Sequence, residues 1–229
     1  MSNGKLIVLE GVDGSGKSTQ YNLLKERFEK NGISFRNIVF PRYKEESSAL
    51  IRMYLGGVFG ARPSDVGPYA ASTFYAVDRY ASFKQDWGQY YKAGGLLLSD
   101  RYTTSNAVHQ GSKLPADELP AFFDWLYDFE YGKLALPKPD LVIYLDVDLE
   151  TSLRRMRQRE EKTNTQADIH EQDTTYLQAC MRTGELAAAH YGWHCVSFRN
   201  GSAEKTKEEK ADEIFEIIRQ AGLALSPGR

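Results

Sequence analysis

Near the start of the chain, Gly11-Val12-Asp13-Gly14-Ser15-Gly16-Lys17-Ser18 fits G-x-x-x-x-G-K-[ST] without a gap, and Thr19 follows. The chemistry this spacing serves is the holding of a polyphosphate. Glycines let the backbone approach phosphate oxygens, the loop amides aim at them, and the positive end of the following helix adds to the field. Lys17 is then placed to reach the outer phosphates, and the Ser18 hydroxyl to sit on magnesium. The plain alternative is an ordinary glycine turn. The apolar strand before the motif and the helix after it tell against that, so residues 11–19 read as a nucleoside triphosphate site.

Further along the chain, other charged residues occupy positions suited to a second, anionic reactant. Arg42 follows a short strand at 35–40, on the carboxyl edge where α/β proteins bind ligands; otherwise it is a solvated loop arginine. Tyr75, Asp78, Arg79 and Ser82 lie at i, i+3, i+4 and i+7 and share one helix face, with Phe74, Val77 and Ala81 on a neighbouring apolar stripe. A ring beside a guanidinium one turn on offers a platform for a planar ligand, or else core packing with a snorkelling arginine. Asp100 and Arg101 close the apolar run 96–99. Strand alternation sends them to opposite sides, the carboxylate toward a metal and the guanidinium toward an acceptor phosphate, rather than into a strand-end ion pair. Arg154, Arg155, Arg157 and Arg159 precede the polar stretch Thr163-Asn164-Thr165-Gln166. Such a run is either a solvated helix face or a lid that closes on phosphates. Beside a phosphate loop, the lid is the expectation.

The elements that must position these residues are legible as a pattern. Strands are expected at 6–9, 35–40, 96–99, 141–145 and 194–198. Helices are expected at 20–30, 47–55, 69–92, 117–131, 176–191 and 206–221, with a glycine- and proline-rich loop at 56–68. Asn31-Gly32 ends the first helix, and Asp148 can cap the one carrying the arginines. Short strands alternating with helices imply an α/β fold, a five-stranded and mostly parallel sheet with helices on both faces. With 229 residues the chain suits one domain, 1–229. A net charge of −2 gives no basic footprint for a nucleic-acid polymer. Cys180 and Cys195 offer neither a disulfide framework nor metal spacing, which fits a reducing cytosol. No apolar run approaches the ~20 residues of a membrane helix. The first four residues lead straight into a strand, leaving no room for a signal peptide. A cytoplasmic protein is expected.

Taken together, Gly11 to Thr19, Phe40-Pro41-Arg42, Tyr75 with Arg79, Asp100-Arg101-Tyr102, the stretch 136–140 and the arginine-rich segment occur in the order found in thymidylate kinases, which the chain resembles over almost its whole length, to about Ala221. The resemblance implies a P-loop NTPase fold with a short lid at about 155–172. It implies transfer of the γ-phosphoryl group of ATP to dTMP, giving dTDP and ADP in dTTP synthesis, with Mg²⁺ and in a homodimer. It places Asp13 on the deoxyribose 3′-hydroxyl, Arg42 and Arg101 on the acceptor phosphate, Phe40 in the dTMP site, Tyr75 against the thymine ring and Arg79 on its edge. Ser105 aligns with a position that meets the other polar edge. Lys17 and Ser18 keep their phosphate-loop roles, and Asp100 stands on the metal side.

Departures from the family pattern matter. His109 stands where the family often has a tyrosine against the sugar, which loosens the expected discrimination against ribonucleotides. Tyr75 replaces a phenylalanine and adds a hydroxyl that needs a partner. The phosphate loop carries no arginine, so the lid is expected to supply that charge, from Arg155, Arg157 or Arg159. Phosphate monoesters have a second pKa of about 6, so the acceptor needs no strong base; alignment and charge relief do the work. Other readings are a kinase for another nucleoside monophosphate or a deoxynucleoside, and a nucleotide switch. A switch has no need of Arg42, Arg79 and Arg101.

Overall fold

A computed structural model describes residues 4–163 and 174–223. The first apolar run forms strand β1 (Lys5–Glu10), buried from Leu6 to Glu10. It lies between two parallel neighbours, β3 (Leu96–Asp100) and β4 (Leu141–Leu145). The edges are β2 (Arg36–Val39) and β5 (His194–Val196), giving the order β2-β3-β1-β4-β5, parallel throughout. Strands with both faces covered must read as near-continuous apolar runs, which is why Leu6-Ile7-Val8-Leu9 lacks alternation.

Helices α1 (Lys17–Lys30) and α9 (Lys207–Gln220) cover one face, packing Leu24, Phe28, Ile214 and Ile218 on Ile7, Leu9 and Ile143. Full burial of a side chain such as Phe28 contributes roughly 2–3 kcal/mol. Leu6, Val8, Leu97 and Val142 face the other way, against Trp87 and Tyr102. The remaining helices are α2 (Ala49–Leu55), α3 (Pro68–Ser82), α4 (Gly88–Lys92), α5 (Thr103–His109), α6 (Leu119–Tyr127), α7 (Leu149–Thr163) and α8 (Thr174–Tyr191). The Asp148 cap is present: its Oδ1 accepts from the Thr151 amide at 2.7 Å.

Four expectations need amendment. The helix expected at 69–92 is continuous but carries a π-turn at Phe83–Trp87 between α3 and α4, and that at 117–131 passes after α6 into a π-turn at Asp128–Lys133. The extra residue in such a turn changes which side chains point inward. Val77 belongs to no buried stripe; it is 52% exposed. The last strand ends at Val196, and a two-stranded hairpin follows, β6 (Arg199–Asn200) with β7 (Ala203–Glu204). Residues 164–166 of the polar stretch, and the lid beyond 163, lie outside the described residues.

Because β1 lies between β3 and β4, the chain's crossovers diverge beside β1. The crevice at the carboxyl ends of β1 and β3 is the switch point where such sheets bind ligands.

Candidate active site

The loop after β1 is shaped by its neighbours. Gly14 has φ 75°, and a Cβ there would lie 2.5 Å from the Ser152 carbonyl oxygen, so only glycine fits. Helix α1 starts at Lys17 with no capping side chain, which leaves first-turn amides for a ligand. The Ser15 hydroxyl is buried with no partner among the described residues. Helix α7 braces the loop from outside. Ser152 Oγ donates to the Asp13 carbonyl at 2.5 Å, and Arg155 Nη1 donates to the carbonyls of Gly14 and Ser15 at 3.0 and 3.1 Å. The other end of Arg155 pairs with Glu204 of β7. A cleft of about 520 Å³ opens above, lined by Val12, Asp13, Gly14, Gly16, Lys17, Ser18 and Thr19, with Arg155 and Arg159 across from them. Gly11 and Ser15 are buried and do not line it.

A second cleft, about 260 Å³, adjoins it and shares Asp13 and Arg159. Arg101 stands at the junction. Strand alternation does not govern its direction, because β3 ends at Asp100 and Arg101 turns into the left-handed region at φ 64°. For a side chain that conformation costs roughly 1–2 kcal/mol. Its amide is held by the Leu9 carbonyl at 3.1 Å, while Nη2 donates to Asp13 Oδ1 at 2.8 Å. Nη1 reaches Glu10 Oε1 at 3.5 Å, Ser105 Oγ at 3.3 Å and His109 Nε2 at 3.0 Å. A guanidinium only donates, so His109 accepts at Nε2 and carries its proton on Nδ1, which lies 3.6 Å from Cys180 Sγ. Burial pushes the Cys180 thiol up to about 12, so that sulfur is inert.

Glu10 is a site residue that the sequence reading passed over as the end of a strand. It is fully buried and accepts from the Gly11 amide, Thr104 Oγ1 at 2.6 Å and Ser105 Oγ at 2.7 Å. A carboxylate closing an apolar strand immediately before the glycine loop was the available signal. The charges balance locally. Burial alone would raise the Asp13 pKa, but Arg101 and then Lys17 hold it well below the usual carboxylate range. Burial and Arg101 lower the Lys17 pKa, and Asp100, Asp13 and Glu10 act in the opposite direction.

The second cleft is also lined by Tyr75, Arg79, Asn106 and Phe40. Arg79 is buried and grips Glu130 with two bonds, Nε on Oε2 at 2.7 Å and Nη2 on Oε1. Burial opposes its charge, but Glu130 more than offsets this and raises its pKa. Arg42 is placed differently from expectation. It does not line the cleft; its Nε donates to Asp78 Oδ1 at 3.2 Å and its Nη2 to Ser47 Oγ at 3.0 Å. Thus Asp78 of the predicted helix face serves the arginine, and Ser82 serves the core by accepting from Trp87 Nε1 at 3.0 Å. Among the lid candidates, Arg155 is committed to the loop carbonyls, Arg157 is exposed and lines neither cleft, and Arg159 borders both.

The residues present fit a magnesium ion. Asp100 Oδ1 is buried with no hydrogen-bond partner among the described residues, and Ser18 is exposed in the first turn of α1. One carboxylate and one hydroxyl, completed by phosphate oxygens and water, is an ordinary donor set for Mg²⁺.

Residues 9–214 match the family model described as thymidylate kinase. The chain is 34% identical to a thymidylate kinase of Mycobacterium tuberculosis over 192 residues, covering 82% of this chain and 87% of that protein. It is 31% identical to one from Nostoc punctiforme over 216 residues, covering 93% and 96%. A solved thymidylate kinase structure from Candida albicans shares the fold with a TM-score of 0.72 at 22% identity, covering 98% of this chain and 96% of that one. With its phosphate loop, adjoining second cleft and near full-length match, the chain belongs to the thymidylate kinase family.

Proposed function

We propose that the protein transfers the γ-phosphoryl group of ATP to dTMP, giving dTDP and ADP. The observation that carries the reading is the meeting of two clefts at Asp13 and Arg159, one built on the phosphate loop and the other lined by a ring-and-guanidinium pair. ATP lies in the first, its phosphates on the loop amides and Lys17. The acceptor phosphate lies against Arg101, with Asp13 at the sugar, Tyr75 against the base and Arg79 with Asn106 at its polar edge. Arg42, Ser105 and His109 complete the acceptor site, Arg42 by exchanging Asp78 for a phosphate oxygen. Arg159, on the border of the clefts, is the lid arginine assigned to the transferring group. Mg²⁺, held from Asp100 and Ser18, supplies charge neutralisation on the phosphates when bound. The protein's share is alignment of two polyanions and exclusion of water, with no proton-abstracting residue needed.

Exposed apolar side chains on α2, α3 and the loop between them, including Met53, Val58, Phe59, Val77 and Tyr80, support a homodimer through that face. By contrast α6 spends Phe122, Phe123 and Leu126 on the core. We also propose a cytoplasmic setting, which two unpaired cysteines suit. No helix among the described residues is long and apolar enough to cross a membrane.

The test is a coupled assay with ATP and a panel of nucleoside monophosphates. dTMP should be preferred to the ribonucleotides and to dCMP. Phosphate release with no dTMP-dependent gain would overturn the kinase reading in favour of a switch. A second acceptor is favoured by one observation: His109 is smaller than the family's tyrosine and is held against Arg101. A ribonucleotide turned over as fast as dTMP would bear that out.

A further inference from the structure

Glu130 has no role in the chemistry so far, yet no carboxylate in the described structure is more completely satisfied. It sits in the π-turn after α6, fully buried, and its two oxygens accept four hydrogen bonds from two other elements. Oε2 accepts from Arg79 Nε and from Thr103 Oγ1, both at 2.7 Å; Oε1 accepts from Arg79 Nη2 and from Asn106 Nδ2 at 3.2 Å. Regular helix geometry from Leu119 onward would not carry position 130 to the same place, since the π-turn adds a residue to its ladder.

Two consequences follow from donor and acceptor counting. Arg79 spends Nε, one Nη2 hydrogen and, on the Tyr102 carbonyl at 3.4 Å, one Nη1 hydrogen, so one hydrogen on each Nη is unused by these bonds. Asn106 spends both amide hydrogens, on Glu130 and on the Ser72 carbonyl at 3.2 Å. Since a carboxylate and a carbonyl only accept, the amide cannot be turned the other way, and Oδ1 is its remaining polar atom. Both residues line the acceptor cleft. The pair with Glu130 also leaves the Arg79 charge compensated, so this end of the cleft is not a second anion site.

We infer that Glu130 is a positioning residue that sets the base preference of the acceptor site: it aims Arg79 as a donor and Asn106 as an acceptor, a pattern that matches a pyrimidine with a carbonyl beside a ring N–H and opposes one with an amino group beside an unprotonated ring nitrogen. This rests on the reading of Arg79 as the group at the base edge. Glu130→Gln puts an amide where the carboxylate was. At the Oε1 position its NH₂ opposes Arg79 Nη2 and can hold Asn106 only by the oxygen, which turns the Asn106 amide over. At the Oε2 position it opposes Arg79 Nε, so either orientation spoils the aim of Arg79.

The experiment measures kcat and KM for dTMP, dUMP and dCMP in the wild-type chain, Glu130→Gln, Glu130→Asp and Arg79→Ala. Glu130→Gln is expected to lower the dTMP-to-dCMP ratio of kcat/KM by about tenfold or more, given how strongly a hydrogen-bonding site rejects a mismatched group. Glu130→Asp keeps the charge and withdraws it by one methylene. It is expected to raise the KM for dTMP about tenfold, with the KM for ATP and kcat within about threefold, and it carries the test if Glu130→Gln does not fold. An unchanged ratio in folded Glu130→Gln, or an equal loss of kcat for every acceptor, would overturn the inference. If Arg79→Ala leaves the KM for dTMP unchanged, the base-edge reading itself falls. If Arg79→Ala raises it and both Glu130 variants behave as wild type, only the role of Glu130 falls.

Discussion

Arg79 and Arg101 line the same cleft, and each is paired with carboxylate, but the pairings are built differently. Arg79 and Glu130 are sealed, with side-chain exposures of 2% and 0%. Arg101 divides itself among Asp13, Glu10, Ser105 and His109, and both Arg101 and Asp13 keep solvent-facing surface, 17% and 23%. A sealed pair presents a fixed pattern of donors with no net charge. An open pair can surrender a partner to an incoming phosphate, because the partner has water to return to. Under the proposed assignment of Arg79 to the base and Arg101 to the phosphate, the contrast teaches that a single cleft can separate recognition of shape from recognition of charge by how deeply each ion pair is buried.

The largest effect that would break this contrast is kinetic. Arg101→Ala should lower kcat/KM for dTMP by about 10³, through both KM and kcat, as steady-state assays would measure; survival within tenfold would remove Arg101 from the phosphate end. The next effect is on stability. Arg79→Met leaves Glu130 buried without its cation and should cost about 3–5 kcal/mol in urea unfolding. Arg101→Met leaves partners that reach water or other donors and should cost about 1 kcal/mol. Equal costs would erase the distinction between sealed and open. The smallest effect is on pH dependence. The folded Asp13 carboxyl is held below its unfolded value of about 3.9. Its stabilisation is therefore complete above that value and is lost as pH falls through the folded one. The difference in unfolding free energy between wild type and Asp13→Asn, about 1 kcal/mol, should stay level from pH 7 to about 5 and shrink below about 4.

Much of the site was readable because its signals are local. The phosphate loop is contiguous, Tyr75 and Arg79 are one turn apart, and Asp100-Arg101 ends a strand. What could not be read is who pairs with whom across the fold. Thr104 reaches Glu10 across 94 positions and Arg79 reaches Glu130 across 51, and composition carries no trace of either. In sequence Glu130 is one acid in an aromatic-rich stretch, and a π-turn leaves no periodicity that would single it out. The same holds for the arginine run. Its residues are alike in type, and only Glu204 on a short hairpin, holding Arg155 against the loop, separates a brace from a candidate for the reacting phosphate. Arg42 was foreseen at a strand end, but Asp78 and Ser47 decide where it waits.

The pairing of β1 with β3 places Leu9 beside Asp100 and ties the Arg101 amide to the Leu9 carbonyl. Neighbouring strands stand about 4.8 Å apart by the length of a peptide hydrogen bond, whatever their side chains. With Arg101 in its proposed role as the monoester's anchor, the offset between that anchor's backbone and the phosphate loop is thus gauged by main chain. Substitution of a side chain in either cleft leaves that backbone spacing in place.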